Sequence, residues 1–240
     1  MEVNIYHDYD KMSAETADRM IKLLMTKPEA VFCLASGNTP VLVYKLFTEE
    51  INQRRLDCSE MTLIGLDEWL GIGKDNEGSC YYFFQKHILD KISLKPEQYY
   101  FFDGLTGDVV KECDDMDRFI SSKNGIDMMV VGIGMNGHIG FNEPGVSFDL
   151  YSHITDLDET TRTVGQKYFP IKASLKKGIT LGLKHFMEAR ETIMIANGTN
   201  KANIIQSTMQ LPVNEKLPAS IIRKHENASL MLDREAASLL

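Results

Sequence analysis

Short apolar runs alternate with amphipathic stretches along most of this chain. Val3–His7, Ala30–Ala35, Met61–Leu66, Gln98–Phe102, Ile126–Val131, Glu191–Ala196 and Ser229–Asp233 read as strands. Several of them are nearly continuous in Val, Ile, Leu and Met, as expected of strands covered on both faces of a parallel sheet. Between them, Ala17, Met20, Ile21, Leu24 and Met25 recur at helical spacing, so Ser13–Met25 is a predicted helix. Further helices are predicted at Val41–Ile51, Cys80–Leu89, Asp108–Ile120, Leu183–Ala189 and, briefly, from Pro218. Strands and helices alternating at this pace predict an α/β fold built on one parallel, doubly wound sheet. The pattern fades over residues 146–177, a polar stretch of about thirty residues that reads as an irregular lid or binding loop.

The ends of four predicted strands carry polar groups. The second strand runs into Ser36-Gly37-Asn38-Thr39-Pro40, with a helix opening at Pro40. Small hydroxyl residues and a glycine at the start of a helix leave backbone N–H groups free to cradle an anion. The third ends in Asp67-Glu68-Trp69. Neighbouring carboxylates in one peptide point in different directions, so one can act as a base while the other makes structural hydrogen bonds. Ala196 is followed by Asn197-Gly198-Thr199-Asn200-Lys201, a second cradle with a lysine at the next helix start.

The fourth end is the densest. From Gly132 to Gly145 there are five glycines in fourteen residues, interleaved with Asn136, His138, Asn142 and Glu143. Gly132, Gly134 and Gly137 match the GxGxxG dinucleotide pattern, but that motif needs a helix to open at once. Two more glycines and Pro144 within the next residues exclude a prompt helix. A backbone wrapping closely around a small molecule accounts for the glycines better.

Composition narrows the chemistry. The 240 residues include 26 Lys and Arg against 34 Asp and Glu, a net charge of −8 that disfavours nucleic acid and anionic membranes as partners. No apolar run approaches the roughly 20 residues that span a bilayer. The first residues lack a basic, signal-like segment, and a cytoplasmic location is expected. Cys33, Cys58, Cys80 and Cys113 are too widely spaced for a zinc or disulfide framework, and no metal or cofactor is expected.

In a doubly wound sheet the four strand ends lie along one edge. A phosphate held by the first and last turns, with Lys201, would leave a carboxylate and a His–Glu pair for acid–base work. Histidine takes and gives protons near neutrality, and a neighbouring carboxylate orients it. Proton transfer on a phosphorylated small molecule is the reaction class these residues support.

The same residues resemble the hexosamine-6-phosphate deaminase/isomerase family. Ser36–Pro40, Leu66–Trp69, the run Gly132–Gly145, Gly178–Gly182, Gly198–Lys201 and Pro218–Ser220 carry the likeness, which spans nearly the whole chain. It implies a single-domain, Rossmann-like three-layer sandwich over residues 1–240, with a mostly parallel sheet and a lid at about 146–177. It also implies that a 2-amino-2-deoxyhexose 6-phosphate is ring-opened, a proton moves between C2 and C1, and ammonia leaves a ketohexose 6-phosphate. Asp67 falls at the position of the C2/C1 base. His138 falls at the ring-opening position, assisted by Asn136 and Glu143. Ser36, Gly37, Asn38, Thr39 and Lys201 fall at phosphate-binding positions, and Gly134 lies against the substrate. Two departures stand out. Asn136 replaces an aspartate of many members, which leaves it an orienting role, and Lys167 replaces an arginine, keeping charge without the bidentate fork. Trp69, Gly78-Ser79-Cys80 and Gly178–Gly182 look more like the galactosamine than the glucosamine branch.

Two rival readings fit the sequence less well. 6-Phosphogluconolactonases are similar in fold, but Trp69 and Phe141–Pro144 depart from their pattern. A sugar-phosphate-sensing module would need a DNA-binding element, for which no segment before Val3 or after Leu240 is available. The expected partner is the small-molecule substrate, with a homo-oligomer left open.

Overall fold

The computed structural model describes residues 1–240. The chain order is β1 (Glu2–Tyr6), α1 (Tyr9–Thr26), β2 (Val31–Leu34), α2 (Val41–Arg54), β3 (Thr62–Gly65) and β4 (Asp67–Trp69). Next come α3 (Cys80–Phe84), prolonged by a π-turn at Gln85–Leu89, then β5 (Tyr99–Tyr100), α4 (Val109–Ser122) and β6 (Met128–Val131). The remainder is β7 (His153–Asp156), α5 (Glu159–Gly165), β8 (Lys177–Thr180), α6 (Leu183–Glu188), β9 (Glu191–Ala196), α7 (Ala202–Gln210) and β10 (Ala228–Asp233). None of the helices is long and apolar enough to cross a membrane.

Seven strands form one parallel sheet in the order β1-β10-β9-β6-β2-β3-β5. The period-2 alternation of its strands divides the core into two layers. Val31, Cys33, Met129, Val131, Met194, Leu230 and Leu232 face one layer. Phe32, Leu34, Met128, Val130, Ile193, Ile195 and Met231 face the other. Helices cover both faces, which is why these strands carry no polar alternation in sequence. From β2 the chain builds outward through β3 and β5, then returns to place β6 on the other side of β2. The gap between β2 and β6 is thus a topological switch point, where such sheets open a crevice at the carboxyl ends of their strands.

The structure corrects the sequence reading in one region. Residues 146–177 are not irregular: they contain β7, α5 and a short 3-10 turn at Gln166–Tyr168. β7 joins β8 and β4 in a separate antiparallel sheet of order β4-β8-β7. β4 is only three residues long, and β7 alternates half-buried and exposed positions without a run of apolar residues. Neither pattern resembles the continuous apolar strands of the main sheet. Leu66 is the hinge, leaving β3 and entering β4 one residue later, so the Asp67 and Glu68 side chains leave the parallel sheet as they leave its edge.

A third apolar cluster seats the small sheet: Trp69, Ile72, Cys80, Phe141, Leu157, Phe169 and Leu175. Trp69 packs on Phe141 and Phe169, at ring-centroid distances of 4.5 and 5.9 Å. Gly178, in β8 opposite Trp69, leaves room for the Phe141 ring, because a Cβ there would stand 2.3 Å from it. The ring is wedged against Trp69 and cannot retreat. We predict that Gly178→Ala destabilises the fold by about 1–3 kcal/mol, the usual cost of overpacking. Thermal unfolding should show a drop of several degrees; an unchanged midpoint would show that the third cluster yields freely.

Candidate active site

A cavity of about 700 Å³ opens at the switch point, over the carboxyl ends of β2, β6 and β9 and beside β4. Ser36, Gly37, Asn38, Thr39, Asp67, Gly134, His138, Lys167 and Lys201 all line it. Asn136 and Glu143 do not reach its wall; they stand behind His138.

Asp67 and Glu68 divide as their strand dictates. Glu68 turns inward and is buried, its carboxylate accepting from Trp69 N (2.8 Å), Cys80 N (3.0 Å), Tyr81 N (2.9 Å) and Ser79 Oγ (2.8 Å). It thereby caps α3 alongside the Ser79 side chain, which takes the N–H of Tyr82. Negative charge at a helix N-terminus meets the free N–H groups and the dipole there. Asp67 turns to the cavity and remains half-buried. Burial drives its pKa up, the Glu68 charge adds to the rise, and a hydrogen bond with the Cys80 thiol opposes it; the carboxyl titrates at about 7.

His138 occupies the facing wall. Its imidazole lies over Gly134, where a Cβ would sit 2.3 Å from the ring, so only glycine permits this approach. His138 Nδ1 is 3.0 Å from Thr161 Oγ1 and 3.6 Å from Glu143 Oε2. Asn136 braces the pair: its Nδ2 donates to Glu143 Oε2 (2.8 Å) and its Oδ1 accepts from His138 N (3.2 Å). Burial raises the Glu143 pKa, but the bonds and charge of His138, with Thr161 and Asn136, outweigh it and leave the carboxyl below its usual range. Glu143 is therefore ionised around neutrality, and with Nδ1 engaged on that side, Nε2 is the ring nitrogen left to exchange protons with a ligand.

The basic end is formed by two turns and one side chain of the 146–177 segment. Tyr9 OH donates to Thr39 O (2.9 Å) and accepts from Leu42 N (3.2 Å), fixing the first turn from α1. Thr39 Oγ1 donates to Asn197 Oδ1 (2.9 Å), joining it to the second turn. There Gly198 N donates to the Asp233 carboxylate (3.0 Å). Lys201 extends under the cavity and donates to Ile133 O (2.6 Å). Burial, then the Lys167 charge, lowers its pKa to about 8. Two lysines that line one cavity, close enough for the charge of one to lower the pKa of the other, favour an anion there.

Residues 146–177 close this space. Tyr168 packs its hydroxyl at the Gly37–Asn38 turn, and burial pushes that hydroxyl up to about 12. Thr161 bonds His138, Gly165 lies against Trp69, and Asp158 N donates to Glu143 Oε1 (3.3 Å). Sequence reasoning placed Asn197 in the second cradle but assigned no site role to Thr161, Tyr168 or Cys80. A Thr and a Gly four residues apart, Thr161 and Gly165, mark the inward face of α5, but no motif pointed to it.

The chain is similar to known enzymes over nearly its whole length. The family model for glucosamine-6-phosphate isomerases and 6-phosphogluconolactonases matches residues 8–231. A glucosamine-6-phosphate deaminase of Clostridium novyi is 34% identical over 241 residues, covering 100% of both chains. That of Halothermothrix orenii is 35% identical over 241 residues, with the same full coverage. A solved monomeric glucosamine-6-phosphate deaminase superposes with a TM-score of 0.96 at 31% identity, over 100% of both chains. A 6-phosphogluconolactonase from Trypanosoma brucei superposes at 0.79 with 18% identity over 100% of this chain and 98% of that one, a likeness of fold alone. The chain belongs to the glucosamine-6-phosphate isomerase/6-phosphogluconolactonase family and is an enzyme of its deaminase/isomerase branch.

Proposed function

We propose that the enzyme converts glucosamine 6-phosphate and water to fructose 6-phosphate and ammonia. The observation that carries the reading is a carboxyl titrating at about 7 on one wall of a cavity whose other wall is a His–Glu pair and whose end holds two lysines. The phosphate sits between the Ser36–Thr39 turn, Lys201 and Lys167. His138, oriented by Glu143 and Asn136, delivers a proton to the ring oxygen as the 1-hydroxyl loses one, opening the pyranose. Asp67, ionised, then takes the proton from C2 and returns it to C1. The amine becomes a C2 imine, to which water adds and from which ammonia leaves. A base near pKa 7 suits this shuttle, since it must accept and release a proton in one turnover. Residues 146–177 act as the lid of a single-domain enzyme, with Lys167 and Tyr168 reaching the phosphate end.

The substrate epimer is the finer question. The sequence around Trp69 resembles the galactosamine branch, whereas the relatives that match over the full chain carry the glucosamine name. We therefore place glucosamine 6-phosphate first. Ammonia release from glucosamine and galactosamine 6-phosphates, assayed side by side, decides the order, and silence with both would refute the deaminase reading.

Asp67→Asn should lower kcat by roughly 10²–10⁴-fold with little change in the binding of a phosphate-bearing inhibitor; an equal loss of both would assign Asp67 a structural role. Thr161→Val removes one hydrogen bond to His138, worth about 0.5–1.5 kcal/mol, so kcat should fall roughly three- to tenfold while inhibitor affinity holds. The pH profile of kcat/KM has a worked sign. Asp67 must be ionised to abstract, so the rate rises as pH passes about 7, and Lys201 must be charged to bind, so it falls above about 8. A bell with its top between those values is expected; a profile still rising at pH 9 would remove Lys201 from phosphate binding.

A further inference from the structure

The Asp67 carboxylate has a single hydrogen-bond partner, the thiol of Cys80, with Sγ 3.6 Å from Oδ1. The same sulfur accepts from Ser36 Oγ at 3.2 Å. Cys80 is buried and its backbone N–H is held by Glu68 at 3.0 Å, while the bonds to Ser36 and Asp67 set where its thiol points. Ser36 belongs to the proposed phosphate turn and Asp67 is the proposed base, and the Cys80 thiol is hydrogen-bonded to both.

We propose that Cys80 is a positioning residue that holds Asp67 toward the cavity and links its proton affinity to the phosphate turn through the chain Ser36–Cys80–Asp67. The inference rests on the deaminase reading and adds a residue to it. The thiol gives its one hydrogen to Asp67, which favours the ionised carboxylate. The Ser36 hydroxyl, donating to the sulfur, polarises the S–H bond and makes it a better donor. Burial raises the thiol's own pKa far above neutrality, so it stays protonated and can go on donating.

No other neighbour can substitute for it. Asp67 is also faced by Cys33 from β2, Tyr44 from α2 and Tyr168 from the 146–177 segment. Burial raises each of these well out of the neutral range, so none changes charge there. Glu68, next in β4, is committed to its four donors. Its charge raises the Asp67 pKa, and Cys80 supplies the opposing contribution.

The test combines kinetics with a measurement that needs no turnover. In Cys80→Ala the acid limb of the kcat profile should move up by roughly 0.5–1 pH unit, with KM changed less than about twofold, because a donor to the ionised form is lost. Ser36→Ala should raise KM and move the same limb in the same direction by less. The double variant should move it no further than Cys80→Ala alone, since the two residues act in series. A limb unmoved in Cys80→Ala overturns the proposal, as does a double variant in which the shifts add. Independently, the Cys80 S–H stretch, assigned by infrared difference between wild type and Cys80→Ala, should move to higher frequency in Asp67→Asn as a strong acceptor becomes a weak one. A band that stays in place also overturns it. Should Cys80→Ala fail to fold, Cys80→Ser provides the kinetic arm: a hydroxyl on Asp67 must leave the limb nearer wild type than any folded variant lacking a donor, and a limb displaced upward refutes the link. If no amino sugar phosphate yields ammonia, the functional reading fails while the infrared band still decides whether the thiol serves Asp67.

Discussion

A strand turns successive side chains to opposite faces, and at Asp67–Glu68 this separates two adjacent carboxylates into opposite roles. Glu68 goes inward, where four donors hold it at the N-terminus of α3. Asp67 goes to the cavity with one weak partner. Without the first carboxylate neither α3 nor Cys80 would be fixed, and the second would face an unformed wall. The charge that secures the helix also lies close enough to lift the pKa of its neighbour. Structure and acid strength at this wall therefore come from the same residue.

The opposite wall solves a different problem with similar parts. A buried carboxylate normally gains a proton, yet Glu143 is held below its usual range because His138, Thr161 and Asn136 all favour its ionised form. Asn136 does this with an amide and without charge, consistent with the orienting role expected of it. Two carboxyls, one on the cavity wall and one behind the facing histidine, are thus driven apart, Asp67 upward and Glu143 downward. Such divergence marks the division of acid and base roles in one site. The residues of 146–177 take part in it: Thr161 reaches His138 and Asp158 N reaches Glu143, so seating this segment completes the histidine's surroundings.

Much of this was legible in the sequence because it depends on continuous patterns. Strands covered on both faces must be apolar throughout, and Phe32–Leu34, Met128–Val131 and Ile193–Ala196 are. The polar residues directly after them fall at the carboxyl edge by topology alone, which brought Ser36, Asp67, His138 and Lys201 together before any coordinates. The small sheet was not legible. β4 reads as a charged turn, β7 shows two half-buried positions in four, and their pairing through β8 joins residues more than eighty apart. Thr161 and Cys80 were hidden for a related reason: each reaches its partner through a short helix whose docking depends on glycines and ring packing, not on spacing in sequence.

Under the proposed function, the cavity's polarity is what lets an acid-rich chain hold a phosphate. The net charge of −8 is set by the surface, and only local arrangement matters inside a crevice with protein walls. Lys201 loses proton affinity through burial and through Lys167, which means that its ammonium is under-solvated until an anion arrives. In the proposed complex an incoming phosphate relieves that cost beside the two lysines. In that complex the amine and the ring lie between Asp67, whose pKa burial raises, and His138, behind which Glu143 is held below its usual range. In the proposed reading, anchoring by charge at one end leaves the base at the other end, Asp67, with a single weak partner, the Cys80 thiol, which keeps the carboxylate aimed while it carries the proton from C2 to C1.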